Sequence, residues 1–199
     1  MTEIALFPLS SQLFPAGRMP LQIFEQRYVD MVARCMREDE GFGVVWLKRG
    51  SEVSGGSVDT PNVGDYGTYA RIVDWDQLQN GLLGITIEGQ HTFDVDTVWR
   101  EPDGLVKAEV THHAPRPRCA LPDRYTGLAE VLLGLLEHPQ IKQLQMSVDI
   151  DDAWRVVEQL AQLLPFTESI KYRLLGLETL EQRLEEMDQL LKEISGEDR

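Results

Sequence analysis

The chain has 199 residues, 42% of them hydrophobic and 26% charged, with 33 acids against 19 bases and a formal charge of −14. A chain of this length buries roughly 70% of its extended surface on folding, so it can hold a core without disulfide or metal staples. The composition excludes disorder, no apolar run approaches the ~20 residues of a membrane span, and the acidity speaks against nucleic acid and anionic membrane as partners.

The acid excess is spread along the chain. Up to Arg118 there are 11 bases and 17 acids (net −6), and beyond it 8 bases and 16 acids (net −8). The opening "MTEIALFPLS" carries an acid and no base ahead of its short apolar run, which is unlike a secretory signal and makes a cytoplasmic address the expectation. Cys35 and Cys119 are too far apart for a metal knuckle or a CxxC redox pair. Cys35 is expected to be a buried thiol on a helix face, and Cys119, beside Arg118, to be exposed.

Residues 1–114 read as β-rich. "EIALFP" supplies a strand ended by Pro8, and "RMPLQIF" a second whose proline suits an edge. Between Phe24 and Met36 apolar residues recur at Phe24, Tyr28, Met31, Val32, Cys35 and Met36, one helical stripe. "FGVVWLK" has the near-continuous apolar character of a strand buried on both faces. "GSEVSGGSVDTPNVGD", residues 50–65, is too rich in Gly, Ser and Pro for regular structure and reads as a long loop. Strands follow in "YGTYARIVDWDQL", "LLGITIEG", "HTFDVDTVWRE" and "DGLVKAEVTHH", with "QNG" and "EGQ" as turns. In the third of these, Phe93, Val95, Thr97 and Trp99 share one face and Asp94 and Asp96 the other. The two Leu-Phe-Pro repeats, at residues 6–8 and 13–15, read as corners of a closed sheet, with Phe14 the aromatic left for a partner.

"APRPRCALPD" breaks the pattern, and residues 115–122 are expected to be a stiff linker. Beyond it the apolar period changes to 3.6. Asp123 is positioned to cap a helix carrying Tyr125, Leu128, Val131, Leu132, Leu135 and Leu136, and Asp149 or Asp151 a second carrying Trp154, Val157, Leu160, Ala161 and Leu164. Thr167 starts a short helix, and Thr179 with Gln182 forms a capping box for the last one. In that helix Leu180, Leu184, Met187, Leu190, Leu191 and Ile194 form an apolar edge that can pack within a bundle or against a second copy in a homodimer. The expected architecture is α+β, with a β-barrel over residues 1–114 containing one internal helix that plugs a barrel end or packs on a sheet, and a helical bundle over 123–199.

Groups arranged for a reaction are scarce. Phosphate-loop, dinucleotide and nucleophile-elbow patterns are missing. His112 and His113 are adjacent, so in a strand they point to opposite faces and cannot share a metal; no metal and no cofactor is expected. His91 and His138 read as solvated, as do the strand acids Asp74, Asp76, Asp94 and Asp96. Among Trp46, Trp75, Trp99 and Trp154, only Trp75, between two aspartates, is singled out for exposure.

"LFPLSSQLFPAGRMPLQIFEQRYVDMV" resembles the opening signature of the N-terminal, substrate-recognition domain of Lon-type ATP-dependent proteases. "GTYARIVDWDQLQNGLLGITIEGQHTFDV" is similar to that family's second stretch, although His91-Thr92-Phe93 stands where the family often carries an Arg pair before Phe. "LLPFTESIKYRLLGLETLEQRLEEM" resembles its closing segment. The resemblance implies a PUA-like barrel followed by helices and a non-catalytic polypeptide-binding role, since the family's ATPase and Ser-Lys peptidase have no counterpart in these residues. It implies as partners unfolded or exposed hydrophobic segments of other proteins and a separate protease. The expected contacts are Phe14, Met19, Tyr66 and Trp75. The motif residues Phe7, Pro8, Pro15, Pro20, Phe24, Glu25, Arg27 and Tyr28 are expected to be structural. Two other readings stand beside this one: a small-molecule sensor or enzyme with a pocket between barrel and bundle, and, disfavoured by the charge, an RNA reader.

Overall fold

The structure, a computed structural model, describes residues 1–48 and 61–196. The loop expected over residues 50–65 falls mostly outside them. Contacts divide the chain into two compact units, Met1–Ala114 and Pro115–Arg199. The class is α+β, as the sequence suggested.

The first unit contains strands β1 (Thr2–Leu9), β2 (Arg18–Ile23), β3 (Phe42–Leu47), β4 (Val63–Gln77), β5 (Leu83–Arg100) and β6 (Val106–His112), with helix α1 (Gln26–Glu38) between β2 and β3. The sheet order is β2-β5-β4-β3-β1-β6, and β6 pairs again with β5. The pairings β5–β4–β3–β1–β6–β5 therefore run round a ring. β2 hangs from the N-terminal half of β5, Met19 opposite Ile87 and Leu21 opposite Ile85. This edge position tolerates Pro20, which has no N–H to give to a neighbour.

Strands β1 and β3 feed two apolar clusters from opposite faces. Ala5, Phe7, Phe42 and Val44 join Tyr28, Met31, Val32 and Cys35 of α1, while Ile4, Leu6 and Val45 join Phe93, Val106, Ala108 and Val110. The period of two along each strand is what sends neighbours to different clusters. Residues Tyr28, Met31, Val32 and Cys35 are the buried stripe of α1. Phe24 is not on it: the helix begins at Gln26, and Phe24 precedes its N-cap Glu25, 71% exposed. Met36 is exposed as well.

Two expected strand ends are corrected. β1 continues through Pro8, which faces Val45 of β3. Pairing with β6 stops at Leu6, so beyond it a missing N–H removes no bond on that side. The first Leu-Phe-Pro is therefore strand, and only the second is a corner. There Gly17 N donates to Phe14 O (2.9 Å), Ala16 N to Gly89 O (2.8 Å) and Gly89 N to Gly17 O (3.0 Å), while Thr68 Oγ1 donates to Leu13 O (2.6 Å). Any Cβ at Gly89 would collide with the Phe14 carbonyl, so the close approach needs glycine.

The second correction concerns "EGQ", which is a bulge rather than a turn. β5 runs unbroken for 18 residues; Tyr69 faces His91 and Ala70 faces Gly89, leaving Gln90 extra. A bulge bends and twists its strand, and this one lets a single strand serve β2 at one end and β6 at the other. A further register shift between Val95 and Thr97 moves the inward phase by one. Val98 joins the apolar cluster with Phe93 and Val95, and the expected partner Thr97 is exposed. The "QNG" turn stands, with Gly81 at φ 81° and Leu78 N bonded to Leu82 O.

The helical unit comprises a 3-10 turn at Asp123–Tyr125 followed by α2 (Thr126–Leu136), α3 (Pro139–Lys142), α4 (Ala153–Leu163), α5 (Glu168–Gly176) and α6 (Leu180–Ser195). Thr179 and Gln182 make the reciprocal capping box, both bonds 3.3 Å. Asp123 makes no side-chain cap, and of the aspartates before α4, among which Asp151 and Asp152 are expected to serve its N-terminus, it is Asp152 that caps it. Residues 115–122 are fastened to this unit: Arg118 holds Asp149 through two bonds (2.9 and 3.0 Å), and Ala153 N donates to Cys119 O (2.7 Å). Leu184, Met187 and Leu190 of α6 are buried, and Ile194 is exposed.

At the centre of the helical unit is a charge network that the apolar pattern does not announce. Glu158 Oε1 accepts from Arg183 (3.2 Å) and Arg116 (3.1 Å). Arg183, 1% exposed, also donates to Leu175 O (2.7 Å) and Leu177 O (3.0 Å). Trp154 lies under both guanidiniums, 4.0 Å from Arg116 and 5.4 Å from Arg183. Burial pushes the Glu158 carboxyl up to about 7, against the pull of Arg183 and Arg116.

Candidate functional site

The signature segment builds a groove of about 470 Å³ at one end of the ring. Phe7, Pro8 and Leu9 come from the end of β1, Leu47 from the end of β3, and Leu21 to Phe24 from the end of β2 as it turns into α1. Its floor is fixed by packing: the Phe7 and Tyr28 rings are 4.2 Å apart, and Phe42 lies 6.0 Å from Phe7. Burial raises the Tyr28 hydroxyl above its ordinary pKa, against the neighbouring Arg27.

One wall is polar and pinned. Arg27 pairs with Glu25 (2.6 Å), donates to Gly104 O (2.6 Å) and stacks 4.8 Å over Tyr28. That carbonyl, in the turn after β5, also accepts from Arg100 (3.1 Å). The rim is apolar and open: Phe24 and Leu47 are among the exposed large hydrophobic residues of the chain. Phe24 projects because β2 ends at Ile23 and α1 starts at Gln26, so it belongs to neither buried stripe.

A second groove, about 270 Å³, lies beside the β4–β5 hairpin and is lined by Pro20, Leu21, Trp75, Leu78 and Ile85 with Asp74 and Asp76. Leu21 and Gln22 border both grooves. On the other flank of Trp75 a groove of about 350 Å³ includes Met36, Asp39, Glu40 and Arg71, where Arg71 is held by Asp39 (3.3 Å).

Of the four expected contacts, Trp75 is exposed. Phe14 is not: it is 1% exposed, at a corner closed by Gly17 N on Phe14 O and by the Ala16 and Gly17 bonds to Gly89, so the expectation that it meets a partner is withdrawn. Met19 is half-buried and packs on the apolar cluster beneath α1. Tyr66 is half-buried opposite Asp94. Among the motif residues, Phe7, Pro8, Glu25, Arg27 and Tyr28 line the first groove together with Phe24, Pro20 lines the second, and Pro15 bridges to Gly89. Leu9, Leu21 and Leu47 were not singled out in the sequence. Leu9 ends β1 and Leu47 ends β3, while Leu21 follows Pro20 within β2, and those positions are the available signal.

The histidines are arranged differently from the solvated reading of His91. His91 Nε2 and His112 Nδ1 share a hydrogen bond (2.9 Å), and Tyr69 stacks on His91 at 5.3 Å. His113 turns to Asp94 (2.9 Å) and Thr92 (2.9 Å), so the adjacent pair does diverge. Burial lowers the pKa of both His91 and His112, and neighbouring positive charge adds to it. No group of three potential metal ligands occurs among the described residues, and no helix among them is long and apolar enough to cross a membrane.

The sequence profile of the ATP-dependent protease La (LON) substrate-binding domain matches residues 3–193. The chain belongs to that family. Its Lon-type relatives include Lon protease 2 of Myxococcus xanthus, 30% identical over 108 residues, which is 54% of this chain and 13% of that protein. Lon protease of Anaeromyxobacter dehalogenans is 28% identical over 93 residues, 46% of this chain and 11% of that protein. The chain thus spans a small part of these curated relatives. Among solved structures, a Lon N-terminal domain protein from Xanthomonas campestris superposes with TM-score 0.76 at 33% identity, over 96% of this chain and 98% of that one. The N-terminal domain of the Mycobacterium avium complex Lon protease shares the fold, with TM-score 0.60 at 13% identity over 94% and 96% of the two chains.

Proposed function

We propose that this Lon-family chain is a non-catalytic recognition module that binds exposed apolar segments of other polypeptides in the groove rimmed by Phe24, Leu9, Leu21 and Leu47. The observation that carries the reading is Phe24, 71% exposed at the mouth of an apolar groove whose floor is rigidly packed. Burying such a ring against a partner stabilises the complex by about 1.5–3 kcal/mol, while the pinned floor loses little entropy on binding. Leu9, Leu21 and Leu47 give an extended segment neighbouring apolar contacts, and the Arg27–Glu25 wall bounds them with polar groups. A protease that acts on the held segment is the partner this reading implies.

Fluorescence anisotropy with a labelled, permanently unfolded polypeptide and its folded counterpart tests it. Saturable binding of the unfolded form alone is the expected result. Equal binding of both forms, or none at tens of micromolar, would remove the proposal.

A further inference from the structure

We propose that the polypeptide held in the Phe24 groove binds by strand addition, as a further antiparallel strand on the outer edge of β2, and that the segment preferred carries apolar side chains at every second residue. The inference rests on the reading of that groove as a polypeptide site. It adds the class of segment and the atoms that hold its backbone.

The register shows which backbone groups of β2 are already paired. Among the described residues β2 pairs with β5 alone and ends the strand order on its other side. Just before β2, Gly17 O accepts from Gly89 N (3.0 Å). The same register continues with Met19 opposite Ile87, Leu21 opposite Ile85 and Ile23 opposite Leu83. Alternate residues of an antiparallel strand bond to the same neighbour, so Met19, Leu21 and Ile23 serve β5 while the backbone groups of Pro20 and Gln22 point away from it. Pro20 fits this phase, because the N–H it lacks would face outward.

The outward groups are Gln22 N–H, Gln22 C=O and Pro20 C=O, and no backbone group of another described segment bonds to them. Both residues are exposed. A residue laid opposite Gln22 exchanges two bonds with it, and the residue two positions further along donates to Pro20 O. The antiparallel direction continues the alternation of β4, β5 and β2 and is the stabler pairing. The donor missing at Pro20 keeps the added strand short.

The edge adjoins the apolar groove. Gln22 borders it, and Leu21, on the other face of β2, lines it with Phe7 and Tyr28. Residues directly opposite one another show their side chains on the same face. The residue opposite Gln22 therefore faces solvent, and its two neighbours in the added strand turn toward Leu21 and the groove floor. A second copy of this chain is the disfavoured occupant, since each copy carries a formal charge of −14 and the two repel.

The test uses the whole protein and a short labelled unstructured peptide in which serine alternates with apolar residues. N-methyl groups on the serines remove the N–H groups that face β2 and are expected to weaken binding about 10-fold. The same number on the apolar residues, whose N–H groups face away, should leave affinity within about 2-fold. Gln22→Pro, which removes an outward donor, should weaken the unmethylated peptide by about 5-fold. Equal loss from both sets of N-methyl groups, or greater loss from the apolar set, overturns strand addition and leaves the apolar groove standing. A dimer of the free protein that the peptide does not dissociate, read by light scattering, places a second copy on the edge and overturns it too. Failure of the unmethylated peptide to bind removes both readings.

Discussion

Among the described residues of the β unit the buried polar side chains are Gln12, Thr68 and Thr92, all uncharged, whereas in the helical unit they include Asp152, Glu158 and Arg183. The ring has β-bulges and a glycine corner to adjust its shape and keeps its core apolar. The short helices α4, α5 and α6 meet around an ion pair that also ties down the carbonyls of Leu175 and Leu177. The difference teaches where each unit is vulnerable: the ring to loss of volume, the helical unit to loss of a single charge.

The comparison can be broken most forcefully at Arg183. Arg183→Ala would leave a buried carboxylate and two carbonyls short of a donor, and is expected to lower stability by about 3–5 kcal/mol, measured by denaturant unfolding. Replacing Arg183 and Glu158 together with leucine should recover much of that loss. Phe14→Ala follows, at about 3 kcal/mol or more, because the ring is sealed beneath the corner. If Phe14→Ala proved neutral, the corner packing described above would be wrong.

A pH series sharpens the contrast because the two units carry opposite signs. Between 4.5 and about 7 folded Glu158 holds a proton that the unfolded chain has released, so its contribution to stability falls as pH rises through that window. His91 and His112 titrate below the ordinary 6.5 when folded, so their contribution is full above 6.5 and is lost as pH falls. Hydrogen exchange across this range should show the helical unit gaining protection on mild acidification and the β unit losing it. Glu158→Gln should flatten the first slope and His91→Gln the second; parallel slopes in the two units would contradict the assignment. The smallest expected effect on stability is that of Phe24→Ala, within about 0.5 kcal/mol, because the ring is exposed.

Much of the ring was legible because strands alternate. Val106, Ala108 and Val110 were read as one inward face of β6 and are all buried. What failed were positions where a bulge shifts the phase, as at Asp96, or where a strand continues through residues that resemble a turn, as at Glu88 to Gln90. The groove was half legible. Its signature residues stood out, yet Phe24 was placed on the helix stripe because its spacing from Tyr28 fits a helix that in fact starts later. Phe14 has the composition of a contact residue, and only the long-range approach of Gly89 shows that it is enclosed. The Glu158–Arg183 pair, 25 positions apart, leaves no periodic mark, since helical charges are ordinarily solvated.

The central claim is that the exposed ring at the mouth of the signature groove, and not the enclosed one, meets the polypeptide. The most direct measurement is the affinity of a labelled unfolded polypeptide for the wild type and Phe24→Ala proteins, with the unfolding midpoint of each recorded alongside. The account predicts binding about 10-fold weaker in Phe24→Ala at an unchanged midpoint. Undiminished binding by a folded Phe24→Ala protein would contradict it.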